Sequence, residues 1–141
     1  MAGKRGLIMG VANDHSIAWG IADHLHQQGA ELAFTYQGEA LGRRVKPLAE
    51  AVGSSIVVPC DVSKQNSVDE AFDRVEEAWP KLDFVVHAIA YSDKEELKGR
   101  YIDTSRENFL HTLDISCYSF TAVAQRAARS MSTGEPVDIN I

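Results

Sequence analysis

Short apolar runs alternate with stretches whose apolar residues recur at helical spacing, and few architectures tolerate that alternation. Gly6-Leu7-Ile8-Met9-Gly10-Val11, Glu31 to Tyr36, Ser55 to Cys60 and Leu82 to Ile89 are each too short for a helix. Turn residues bound them, which predicts four buried strands. Val137 to Ile141 begins a fifth, although two of its five residues are polar. Between the strands lie helical patterns. Ser16 precedes Ile17, Ala18, Ile21, Ala22 and Leu25, a stripe that stops at Gln28-Gly29. Leu41, Val45, Leu48, Ala49 and Val52 mark a second helix over 39–52, in which Pro47 is expected to cause weakness or a kink. Val68, Ala71, Phe72, Val75 and Ala78 form the inward face of a third, opposite an acidic face expected to be solvated. A long apolar pattern from about Arg106 to Met131 predicts a fourth helix.

Strands alternating with helices imply βαβ units with right-handed crossovers. The expected fold class is therefore α/β: a doubly wound parallel sheet, Rossmann-like, with strand order 3-2-1-4-5. A ligand should bind at the carboxyl ends of the strands, where that order reverses. Such sheets seldom stop as a fifth strand begins. Residues 1–141 thus read as one dinucleotide-binding domain, incomplete at its C-terminal end.

The formal charge of −6 disfavours nucleic acid, whose phosphates need clustered cations. Two cysteines are too few for a disulfide framework, so a reducing cytoplasm is expected. No apolar run approaches the ~20 residues of a membrane span, and the N-terminal run is too short for a signal peptide. The five histidines are scattered without zinc-ligand spacing, and no metal is expected. Cys117, within the long helix, reads as a small core residue rather than a nucleophile.

The most informative stretch is Gly10-Val11-Ala12-Asn13-Asp14-His15-Ser16-Ile17-Ala18-Trp19-Gly20-Ile21-Ala22, the first strand-to-helix turn. A diphosphate needs backbone N–H groups and a helix N-terminus, with no Cβ in the way. Gly10 supplies close approach at the strand tip. Ser16 can cap the helix and donate its hydroxyl to a phosphate, and Gly20 is expected to let the helix pack tightly on the sheet. The spacing is not GxGxxG, so an ordinary turn with a serine cap remains an alternative. At the second strand's tip, Gln37 offers hydrogen bonds to a ribose without charge, which favours NADH over NADPH. Arg43 and Arg44 lie about two turns on, either on a solvated face or near a 2′-phosphate. At the third strand's tip, Asp61 can accept from an adenine amino group while the Val62 N–H meets a ring nitrogen. Alternatively, Asp61 or Ser63 caps the next helix. His87-Ala88-Ile89-Ala90 places small residues where a ribose would pass.

Taken together, these segments resemble the short-chain dehydrogenase superfamily, and within it the NADH-dependent enoyl-acyl-carrier-protein reductases of bacterial fatty acid synthesis. The resemblance rests on residues 10–22, TYQGE (35–39), CDV (60–62), HAIAYS (87–92) and DISCYSF (114–120), and spans nearly the whole chain. It implies an NAD site built from Gly10, Ser16, Ile17, Gln37, Asp61, Val62 and Ile89. It also implies that Ser92 meets the thioester of an enoyl substrate on acyl carrier protein. The family's catalytic tyrosines and lysine lie beyond the fifth strand, so no catalytic residue is expected within 1–141. Relatives are homotetramers using helices near the long one, whose apolar residues occupy more than one face. Three rivals remain: another short-chain dehydrogenase acting on a ketone or 3-oxoacyl thioester, a non-catalytic nucleotide-binding module, and, more weakly, an S-adenosylmethionine-dependent transferase, against which Gln37 stands where an acid would bind the ribose.

Overall fold

A computed structural model describes residues 1–131 and 139–140. Five strands form one sheet: β1 (Arg5–Met9), β2 (Glu31–Tyr36), β3 (Val57–Pro59), β4 (Phe84–His87) and β5 (Ile139–Asn140). Their order is β3-β2-β1-β4-β5, and every neighbouring pair is parallel. The order and the α/β class are those expected. Of the predicted fifth strand, Val137, Asp138 and Ile141 lie outside the described residues.

Period-two alternation sends successive strand side chains to opposite faces, and a separate apolar core covers each. Leu7, Met9, Ala33 and Val85 pack with α3 (Gln65–Ala78) and α5 (Ser119–Met131). Ile8, Leu32, Phe34 and Val86 pack with α1 (Ile17–Gln27) and α2 (Gly38–Ala51). Phe34 and Phe72 are fully buried, each worth about 2–3 kcal/mol of hydrophobic transfer. Gly6 faces Phe84 across the β1–β4 pair, and a Cβ there would lie 2.0 Å from the ring.

Several expectations need correction. In α1, Ala18 and Ala22 make the sheet contact, while Ile17 is 80% exposed and Ile21 also faces outward. Gly20 is exposed, with no atom within 4 Å of a Cβ built on it, so tight packing on the sheet does not explain it. α2 runs unbroken through Pro47, which sits on the exposed side. In α3, Ala78 is exposed and the buried place falls to Trp79 just beyond the helix.

The acidic face of α3 is not merely solvated. The Arg126 side chain of α5 is 8% exposed and pairs with Asp73 at 2.7 Å and Glu76 at 2.7 Å, with Asp69 at 3.7 Å. Its guanidinium also lies 5.2 Å from the Phe72 ring centroid. The predicted long helix is three pieces: α4 (Arg106–Leu113), a π turn (Asp114–Tyr118) and α5. Cys117 falls in that turn and is exposed, not core. No helix among the described residues is long and apolar enough to cross a membrane.

Candidate functional site

The carboxyl ends of β1 to β4 open onto two adjoining cavities. One, about 430 Å3, is lined by Gly10, Gln37, Asp61, Val62, Ile89 and Ile115, among others. The second, about 1100 Å3, takes in Gly10, Ser16, Ile17, Ile89, Ser116 and Phe120, and extends from the strand tips back along β4 to Lys4, Lys81 and Asp83 at its amino end. Gly10 and the stretch Ala88-Ile89-Ala90 border both. The seven residues expected to hold a dinucleotide therefore lie along one continuous concavity, at the point where the strand order reverses.

Two features suit the open end of α1 to an anion. No side chain caps its first turn, and no acidic residue stands there. Ser16 occupies the cap position by its backbone, but its hydroxyl donates to the Asn13 carbonyl at 2.6 Å, so the expected side-chain cap is not made. Gly10 adopts φ +102°, and a Cβ there would sit 2.0 Å from the Ala88 carbonyl oxygen. The glycine is thus required first by the meeting of the β1 and β4 tips, and only then by any ligand.

Comparison with known proteins decides the family. The sequence matches the family described as Enoyl-(Acyl carrier protein) reductase over residues 10–140. The chain belongs to this family. It is 67% identical over 134 residues to an enoyl-[acyl-carrier-protein] reductase [NADH] 2 of Rhizobium meliloti, covering 95% of this chain and 50% of that protein. A solved reductase of Anaplasma phagocytophilum in complex with NAD superposes with a TM-score of 0.90 at 57% identity, covering 95% of this chain and 52% of the other. The NADH reductase of Aquifex aeolicus gives a TM-score of 0.91 at 48% identity, covering 94% and 52%. The chain spans about half the length of the relatives it matches.

Within this reductase-family fold, the tip of β3 is built around Asp61. Its carboxylate accepts from the Ser63 hydroxyl at 2.7 Å and the Ser63 N–H at 3.1 Å, and Lys64 lies 3.1 Å from its other oxygen. The Ser63 hydroxyl bond, with Lys64, holds the acid below its ordinary range against the opposing effect of burial. Asp61 is thus a charged acceptor that orders the turn, but neither it nor Ser63 caps α3, whose cap position is Lys64 without a side-chain bond, and Val62 lines the cleft beside it. Next to it, burial and the charge of Asp61 push the Cys60 thiol up to about 12, so that cysteine is inert.

Ser92 lines neither cavity. Its oxygen accepts from Asn108 Nδ2 at 3.3 Å and lies 3.1 Å from Thr112 Oγ1, which ties the chain after β4 to α4. Tyr91 lines the smaller cleft and stacks edge-on to His111 at 5.3 Å. Sequence reasoning assigned no role to Ser116 or Ser119, although both lie in the DISCYSF segment that it quoted. Their only signal was polarity within an apolar helix.

Proposed function

We propose that the protein is an NADH-dependent enoyl-acyl-carrier-protein reductase, which reduces the 2,3 double bond of an enoyl thioester, and that residues 1–141 form its cofactor-binding part. The observation that carries this reading is the convergence of Gly10, Ser16, Gln37, Asp61, Val62 and Ile89 on one concavity at the strand tips. Relatives named for this activity, and a neighbour solved with NAD, support it.

The residues present fit the cofactor. The uncapped N-terminus of α1 offers N–H groups and the positive end of a dipole to a diphosphate. Exposed Gln37 stands at the cleft rim for a ribose hydroxyl. Asp61 accepts from the adenine amino group, with Val62 and Ile115 as apolar walls to the ring. No Lys or Arg is among the described residues lining this cleft, which leaves no cation there to hold an added 2′-phosphate, and Lys64 beside it is already paired with Asp61. Ile89 borders both cavities and guides the nicotinamide half past the strand tips. NADH, when bound, supplies the hydride. Ser92, the residue that the family resemblance assigns to the substrate thioester, lines neither cavity and is held toward α4, so its contact with substrate rests on the resemblance alone; proton delivery is assigned to none of residues 1–141.

The reading extends to a homotetramer in the cytoplasm, with neither nucleic acid nor membrane as partner. Phe109, Leu110, Leu113 and Tyr118 are exposed along α4 and the π turn, an apolar surface suited to another copy. Protein expressed from the complete reading frame should consume NADH with crotonyl thioester, fail with acetoacetyl thioester, and scatter light as four chains. Turnover of the 3-oxoacyl substrate alone would replace this reading with a ketoreductase, and the lack of either activity would favour the non-catalytic module.

A further inference from the structure

The segment between β4 and α4 forms a wall shared by both cavities. Ala88, Ile89 and Ala90 line each of them. On the β1 side, the last sheet bond runs from Ala88 N–H to the Met9 carbonyl, at 3.1 Å. Beyond it the wall has left the ladder, so another element must hold it.

That element is the π turn. At its end a backbone N–H reaches back to the Asp114 carbonyl, one residue further than an α-helix would reach. The Ile115 carbonyl instead accepts the Ser119 hydroxyl at 2.6 Å. Ser119 is 1% exposed, and its oxygen lies 2.8 Å from His87 Nε2. With its one proton given to the Ile115 carbonyl, the Ser119 oxygen is left to accept from His87 in the tautomer that carries the proton on Nε2. Burial holds the imidazole below its ordinary value, against the opposing effect of a bond to the backbone of His87 itself. At the wall's other end, Ser116 makes two bonds to one residue: Tyr91 N–H donates to its oxygen at 3.0 Å, and its hydroxyl donates to the Tyr91 carbonyl at 3.0 Å.

We propose that Ser116 and Ser119, presented by the π turn, are positioning residues that fix the His87–Tyr91 wall at both ends for the cofactor. A regular helix would shift these two serines relative to each other, and one of the two ties would be lost. The inference rests on the cofactor reading above and adds to it what shapes the site. Neither serine transfers a proton or a hydride.

The test compares Ser116→Ala and Ser116→Thr in the protein expressed from its complete reading frame. Ser116 is only half-buried, so its loss should leave the unfolding midpoint nearly unchanged. Ser116→Ala should weaken NADH about fivefold to tenfold, the worth of one or two hydrogen bonds, and speed hydrogen exchange of the Tyr91 amide. Ser116→Thr, which keeps the hydroxyl, should restore both. Ser119→Ala should bring the His87 ring, followed by nitrogen NMR, out of its Nε2–H form. Unchanged affinity or unchanged Tyr91 protection in Ser116→Ala would overturn this inference alone. Failure of the unsubstituted protein to bind NADH would overturn the cofactor reading and this inference with it.

Discussion

A Cβ on Gly10 would lie 2.0 Å from one backbone oxygen and 2.6 Å from the carbonyl carbon behind it, at φ +102°. Neither the clash nor the strain can be relieved by turning a side chain. Gly10→Ala should therefore destabilise the fold by roughly 3 kcal/mol in urea unfolding, clash and strain together. A cost below about 1 kcal/mol would show that the tips of β1 and β4 are looser than described. Loss of cofactor affinity in such a variant could come from the fold alone, which makes Gly10 a poor probe of the site. A glycine at a strand tip was legible in the sequence. That its first constraint is the Ala88 backbone was not, because the contact spans 78 residues and depends on strand order. The same holds for Gly20, where a packing role was expected and open space was found.

The elements themselves were legible wherever one apolar face met one core. α3 shows this: its Val68, Ala71, Phe72 and Val75 stripe is the buried one. What its acids do was not legible, because their partner Arg126 lies 50 or more residues away. The π turn was equally hidden, since its extra residue changes no hydrophobic period strongly enough to be read. Arg126→Ala should cost about 2 kcal/mol at neutral pH, less than for a fully buried pair because the three acids are partly exposed. The Arg126 bond holds Glu76 below its ordinary value, against the opposing effect of burial. Its contribution is therefore present above about pH 4.5, the unfolded value, and fades as pH falls through the lowered one. The stability gap between Arg126→Ala and the unsubstituted protein should narrow on acidification, and a gap that stays constant to pH 3 would show that Arg126 acts by packing alone.

Over the whole molecule, the alternation of strand and helix was enough to set the α/β class and the strand order, because a parallel sheet leaves few other solutions. Five of the expected residues meet in one cleft and the others in its neighbour, with Gly10 and Ile89 on the boundary. The exception is Ser92, which a network with Asn108 and Thr112 draws toward α4. The central claim is that a dinucleotide crosses from the cleft beside Asp61 to the open end of α1 along the Ala88–Ala90 wall. Ala90 is exposed and lines both cavities, so a bulky side chain there obstructs the crossing without entering the core. Calorimetric titration of NADH into the unsubstituted protein and into Ala90→Trp tests this most directly. The account predicts one site per chain, lost or weakened more than about tenfold by the tryptophan, with an unfolding midpoint within a few degrees of the original. Equal affinity in the two proteins would place the cofactor elsewhere and contradict it.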